Sequence, residues 1–465
     1  MKLLKSKSLL LLVLALMIGV AAIWLFACFR AKQANTHRTI LSFGTVVPVL
    51  DALASDRPPQ LKKPNESNWK VWAQQKDNTV RARLEQGALD SMINLLLFGT
   101  SFTTQRRVIT VHDFEDAVVQ ARVADLVEAL RNPKNNERLI FLRNLLQSRG
   151  IHPERSAGLE RTRTFVLENL RRVVQEQNTI RERFDEAGGE SDQKAGLSKR
   201  SLVFRDRGIS VDTTILSSFG IEGALRDMKD RTVIAKKSVN RVAVIGPGLD
   251  FTDKGFGYDF YPLQTLQPFA IYDSLVRLGL AEPGKIEVVA FDISQEVLEH
   301  LRRARDRAEK GENYVVQLPR ESWPWAAEAV DYWRSFGSEI GTPAVPIPPP
   351  PALSGLETRA LAIRPEVVLS CKPMDLNVVF EQFAGSATKP FDLIIATNVF
   401  LYYDTFEQAL ALQNISTLLK PSGFFLTNDW LPHVSRIPMR STEYTPVRYG
   451  ESADWGDNVF WWQRQ

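Results

Sequence analysis

A chain of 465 residues exceeds one ordinary core, and 44% hydrophobic with 24% charged residues is the balance of a globular protein with two folded units plus extras. A net charge of +4, with Lys2, Lys5 and Lys7 crowded at the start, leaves no basic footprint for nucleic acid. Cys28 and Cys371 lie too far apart to suggest a disulfide framework. His37, His112, His152, His300 and His433 show no ligand spacing, so no metal is expected.

After the basic head, no charged or strongly polar residue occurs from Leu9 to Phe29. At ~1.5 Å per residue, ~20 residues of helix cover the ~30 Å of a bilayer core. Residues 1–30 are therefore expected to target a membrane, with a bacterial inner membrane as the setting. Three fates are open: a retained anchor, a cleaved signal peptide, and a lipoprotein signal ending at Leu25-Phe-Ala-Cys28. The length of the apolar run and the bulk of Phe26 favour the uncleaved anchor. Lys2, Lys5, Lys7 and the amino terminus only slightly outweigh Arg30, Lys32 and Arg38, so a cytoplasmic head with an exported body is weakly favoured and orientation stays open. Residues 31–77, with Arg57-Pro-Pro59 and Lys62-Lys-Pro64, read as a tether.

Helical periodicity then predicts an all-α domain over 78–187, with helices at 80–98, 113–130, 137–147 and 160–184. Asp113 is expected as an N-cap and Pro133 as a stop. In the last helix Val166, Leu170, Val173, Ile180 and Phe184 form one apolar stripe, and the alternating Arg and Glu around it read as a solvated face. This domain is the expected contact for a protein substrate or partner. Residues 188–212, opening with Gly188-Gly-Glu-Ser, read as a linker.

From 213 to 465 strands and helices alternate. Arg241-Val-Ala-Val-Ile-Gly246-Pro-Gly248-Leu-Asp250 is a buried strand running into a sharp glycine turn, and Val288-Val-Ala-Phe-Asp292 is a second strand ending in an acid. An acid at a strand tip beside a glycine loop is where a doubly wound sheet holds ribose hydroxyls, which suggests an adenosine-containing cofactor. Helices are expected at 268–280, 295–310 and 406–419, and strands at 366–370, 391–397 and 424–427. A terminal hairpin is expected at 443–449 and 458–463. An insertion at about 311–360 carries Trp323-Pro-Trp325, Tyr332-Trp333 and a proline run over 343–351 that reads as a surface strap.

These stretches, in this order, resemble the class I S-adenosylmethionine-dependent methyltransferases over roughly residues 240–430. Several are similar to the chemotaxis-receptor (protein-glutamate) methyltransferase type: Gln267-Pro-Phe-Ala-Ile-Tyr272, Phe291-Asp-Ile-Ser294, Met374-Asp-Leu376, Phe391-Asp-Leu-Ile-Ile-Ala-Thr-Asn-Val-Phe-Leu-Tyr-Tyr-Asp404 and Leu419-Lys-Pro-Ser-Gly-Phe-Phe425. The resemblance implies an α/β fold with a doubly wound, mostly parallel, seven-stranded sheet closed by an antiparallel hairpin, and S-adenosyl-L-methionine as cofactor. It places Gly246 and Gly248 against the methionine portion, and Asp292 with Ile293 at the ribose. Asp375 and Leu376 would border the adenine, Asn398 and Val399 would lie beside the sulfonium, and Tyr402 would be the active-site tyrosine. Three positions depart from the pattern: Val244 stands for an acid, Asp250 for a third glycine, and Thr397 for the arginine before Asn-Val.

Two functions stay open on the sequence: a membrane-tethered methyltransferase with an unidentified acceptor, and a non-catalytic membrane-anchored scaffold on a degenerate methyltransferase fold. A nicotinamide oxidoreductase fits worst, because Phe251 stands where a Gly-x-Gly-x-x-Gly turn needs its third glycine.

Overall fold

The structure is a computed structural model describing residues 38–187, 207–252, 258–320, 324–353, 355–383, 389–452 and 455–465. The expected anchor at 1–30 lies outside these residues. Among the described residues no helix is long and apolar enough to cross a membrane.

The expected tether is folded from residue 38 onward. Strand β1 (Arg38–Ile40) leads into helix α1 (Phe43–Ala52), whose Ser42 cap accepts from the Thr45 N–H. Helix α2 (Glu66–Phe98) starts well before residue 80 because Asn65 and Asn68 form a capping box, each side chain accepting from the other's backbone N–H at 3.0 and 2.9 Å. The buried Trp69 indole donates to the Leu41 carbonyl at 2.7 Å, fastening this segment to α2. Leu41, Val46, Val49, Leu61, Trp69 and Trp72 are buried but spread over short elements, so no single periodicity marks them in the sequence.

Helices α3 (Ala117–Arg131), α4 (Glu137–Ser148) and α5 (Ser156–Ala187) complete the helical part. Asp116, not Asp113, caps α3, accepting from the Val118 and Val119 N–H groups. The chain then forms α6 (Ile215–Asp230), β2 (Arg241–Ile245), α7 (Gln267–Arg277), β3 (Glu287–Asp292) and α8 (Gln295–Ala308). The insertion folds as its own three-stranded antiparallel sheet. It comprises β4 (Tyr314–Arg320), β5 (Gly341–Ala344) and β6 (Glu357–Ile363), in the order β4-β6-β5, with α9 (Ala327–Ser335) between the first two. Pro343 lies in β5 rather than wholly in a strap; an edge strand tolerates a residue with no N–H to give.

The run at 366–370 is helix α10 (Pro365–Ser370), not a strand. Pro365 pre-sets the first helical turn, and Val367 and Val368 are buried in the same apolar cluster as α8. The strand follows as β7 (Cys371–Asp375), then β8 (Glu381–Phe383), β9 (Phe391–Ala396), α11 (Thr405–Leu418), β10 (Leu419–Thr427), β11 (Met439–Arg448) and β12 (Gly456–Arg464). Asp404 and Glu407 form a capping box that opens α11.

The main sheet has seven strands in the order β11-β12-β10-β9-β2-β3-β7. It is parallel from β10 to β7, with β12 antiparallel to β10 and β11 to β12. Successive β2 residues enter opposite layers. Val242 and Val244 join α6, α7, α8 and the helical part on one face; Ala243 and Ile245 join α1, the start of α2 and α11 on the other. From β2 the chain adds β3 and β7 on one side and then returns to add β9 and β10 on the other, and that switch point in strand order opens the crevice of the site.

Candidate functional site

Register brings the ends of β2, β3 and β9 level, pairing Ile245 with Phe291 and with Ala396, so the residues just beyond meet at one edge. There a cavity of about 460 Å³ collects Gly246, Gly248, Asp292, Ile293, Leu376, Asn398, Val399 and Tyr402 among its lining residues. Gly246 and Gly248 sit at φ of +63° and +71°. A Cβ on Gly246 would meet Val399 Cγ2 at 2.8 Å, and one on Gly248 the Val211 carbonyl oxygen at 2.6 Å, so both positions require glycine.

Asp292 ends β3 with its carboxylate accepting the Ser294 N–H at 2.8 Å. Burial pushes this acid up to about 7, against backbone N–H bonds from Ser294, Ile293 and Gly248. Among the described residues it is in no ion pair, and the nearest charge acting on it is the like charge of Asp375.

Asp375 is not in the cavity. Its Oδ1 takes Arg38 at 2.6 Å and Arg81 at 3.0 Å, and its Oδ2 takes the Gln295 amide at 2.7 Å. The carboxylate expected at the adenine instead fastens β1 and α2 to the sheet; the neighbouring Leu376 and Asn377 are the ones that line the cavity. Arg81 also pairs with Asp77 at 3.0 Å and Glu381 at 2.9 Å. Burial alone would lower it, but these carboxylates hold its guanidinium above the usual range.

Beyond β9, Asn398 takes a φ of +57°, a left-handed turn that asparagine tolerates. Two residues at the end of β10, unmarked in the sequence, hold this turn. The Asn428 side chain accepts from the Asn398 N–H at 2.8 Å, and Asp429 accepts from Val399 and Phe400 at 3.0 and 2.8 Å. Burial pushes Asp429 up to about 6. The Tyr402 hydroxyl accepts from the Ser210 N–H at 3.4 Å, and its carbonyl takes the Arg83 guanidinium at 3.0 Å.

Residues 209–212, within the expected linker, instead wall the cavity together with Thr213 and Thr214. Ile209 N–H bonds the Arg83 carbonyl at 3.0 Å, and Leu249 N–H bonds the Val211 carbonyl at 2.8 Å. The wall lies flush on α2 because a Cβ on Gly87 would meet the Ile209 carbonyl oxygen at 1.9 Å. Gly87→Ala is expected to push this segment outward. The better helix propensity is outweighed by the collision, for a net loss of ~2 kcal/mol in urea unfolding. Amides 209–211 should exchange faster in the same variant.

The departures from the family pattern fall into place. Val244 is a fully buried strand residue. Thr397 lines the cavity and accepts from the Gln267 amide at 2.7 Å. Asp250 also lines it, its Oδ2 accepting from the Tyr261 hydroxyl and the Gln264 amide, both at 2.9 Å. The insertion supplies Gln317, Leu318, Pro319 and Trp325, and Trp455 joins them from beside the terminal hairpin.

No protein-family model matches the chain, and no curated protein matches it in sequence. Among solved structures it is similar to the N-methyltransferase NodS from Bradyrhizobium japonicum WM9, at 11% identity over 53% of this chain and 93% of that one, TM-score 0.25. It is similar to the glycopeptide N-methyltransferase MtfA, at 12% identity over 52% and 90%, TM-score 0.28. The magnesium protoporphyrin IX methyltransferase ChlM from Synechocystis PCC 6803, with bound SAM, gives 9% identity over 61% and 90%, TM-score 0.25. At these values the likeness carries no argument about activity, which rests on the chain's own residues.

Proposed function

We propose that this chain is an S-adenosylmethionine-dependent methyltransferase, tethered to a membrane through residues 9–29, whose cofactor side is of the chemotaxis-receptor type. The observation that carries the reading is the meeting, in one cavity at the switch point, of the left-handed Gly246 and Gly248 turn with the Asp292 carboxylate at the tip of β3. Gly246 and Gly248 would pass the methionine portion along bare backbone, and Asp292 would take both ribose hydroxyls. Leu376 and Asn377 would border the adenine. Asn398 and Val399 would lie beside the sulfonium, and Tyr402 would orient the acceptor.

S-adenosylmethionine supplies, when bound, a methyl group already activated on sulfur. The protein's contribution is therefore positioning and exclusion of water: a near-attack geometry, held by rigid strand ends, accounts for most of the acceleration. The site as formed also speaks against the scaffold reading, because the acid at position 250 is satisfied by Tyr261 and Gln264 rather than closing the cavity.

The test is ultraviolet cross-linking of methyl-labelled S-adenosylmethionine to the full chain, followed by peptide mapping. Label is expected within residues 245–250, 291–293, 376–378 or 397–403. Label confined to other peptides, or none that excess S-adenosylhomocysteine displaces, would remove the cofactor from this site.

A further inference from the structure

The chain enters the folded body at β1, and the entry point is fixed. Arg38 lies opposite Phe383 in the β1–β8 pair, and its guanidinium takes Asp375 at 2.6 Å and Glu381 at 3.3 Å. Residues 30–37 separate this point from the apolar run at 9–29 and, even fully extended, cover at most ~30 Å. A folded body of ~400 residues is ~55 Å across. So short a length of chain cannot turn the far side of the body toward a bilayer, and it holds the flank carrying β1 and the start of α2 near one.

The side chains of that flank suit an anionic surface. Over residues 59–75 the charged side chains are Lys62, Lys63, Lys70 and one acid, Glu66, all exposed. On α2, Trp69, Trp72 and Ala73 turn into the core, while Ser67, Lys70, Val71 and Gln74 recur at helical spacing on the outer face, with Val71 56% exposed. The Trp69 indole bond to the Leu41 carbonyl, at 2.7 Å, ties this face to the residue that follows β1.

We infer that this flank, residues 59–75 beside β1, docks on the surface of a bilayer containing anionic phospholipid, an inference that rests on the tether in the proposed function. The lysine ammonium groups meet phosphate oxygens while their stems and Val71 lie against the headgroup layer. Attraction of this kind fades within a Debye length, so it acts only on a face that the tether already holds close.

Docking also sets the height of the site. Asp375, the partner of Arg38, adjoins Leu376, which lines the cavity, so the end of the cavity at β7 is joined through one ion pair to the point where the tether enters. A docked flank therefore holds the cavity at a fixed distance from the membrane.

The experiment is lysine footprinting of the full chain with a water-soluble acetylating reagent, read by peptide mass spectrometry. It is run in detergent micelles, in phosphatidylcholine vesicles, and in phosphatidylcholine vesicles with about 30% phosphatidylglycerol. Rates are taken relative to Lys236 and Lys310, which are exposed elsewhere on the body. Lys62, Lys63 and Lys70 are expected to react at least about fivefold more slowly in the anionic vesicles than in micelles, and to recover in high salt. Unchanged relative rates in vesicles that carry the chain, or equal slowing with and without phosphatidylglycerol, overturn the docking and leave the tether standing. Slowing in micelles that grows with protein concentration assigns the flank to a second copy and overturns it as well. A chain that does not float with the vesicles removes the tether and this inference together, while the methyltransferase reading is untouched.

Discussion

Asp292→Ala is expected to weaken S-adenosylhomocysteine binding at pH 8 by more than about 100-fold, because two charge-assisted hydrogen bonds of ~1.5 kcal/mol or more are lost together. The effect has a pH signature that a merely structural role would not show. Burial, with a small addition from Asp375, raises the Asp292 acid to about 7 in the ligand-free protein. Hydroxyl donors require the carboxylate, so binding must drive the proton off whenever it is present. Wild-type affinity is therefore expected to climb with pH, by about fivefold between pH 6 and 7 and by about a further twofold above that before it levels off, a slope Asp292→Ala abolishes. Stability runs the other way. An acid raised on folding contributes stability that is fully present below its unfolded value near ~4 and lost as pH rises through the folded value. Asp292 at about 7 and Asp429 at about 6 thus both make the ligand-free protein less stable between pH 4 and 7. Calorimetry and urea unfolding over that range read the two opposed slopes.

Arg81→Met is expected to cost ~3 kcal/mol of stability. Arg81 is the shared cation of Asp77, Asp375 and Glu381 at 3.0, 3.0 and 2.9 Å, and its guanidinium also reaches the Ile293 carbonyl at 3.4 Å. Methionine keeps most of the volume but leaves three acids with Arg38 alone, which pairs with Asp375 at 2.6 Å and Glu381 at 3.3 Å. Arg81→Lys keeps the charge and loses the fork, so it should fall between. The check is the urea midpoint at unchanged slope. A loss under ~0.5 kcal/mol would mean that the cluster is screened as surface pairs are.

That Gly246, Asp292 and Asn398 line one cavity was legible because each signal is local, an apolar run ending in a glycine turn, in an acid or in Asn-Val, and the sheet order then brings the three strand ends together. The order of motifs likewise carried the terminal hairpin. What stayed hidden depends on pairing across the chain. Arg81 and Asp375 are 294 residues apart, and neither sits in a motif. Asp375 therefore read as a cofactor contact when it is an ion-pair partner. Asp429 shows only as one polar residue after a strand, and its work on the Val399 and Phe400 amides exists only in three dimensions. Residues 38–77 looked like a tether because their apolar residues are divided between short elements. The wall at 209–214 is too short to carry a period at all.

The measurement that bears most directly on the central claim is calorimetric titration of S-adenosylhomocysteine into the full chain at pH 8. The expected result is one site per chain with micromolar affinity, weakening as the pH is lowered below 7. A chain that unfolds cooperatively yet takes up no S-adenosylhomocysteine at millimolar concentration would contradict it, and would leave the Gly246 and Asp292 cavity without its cofactor.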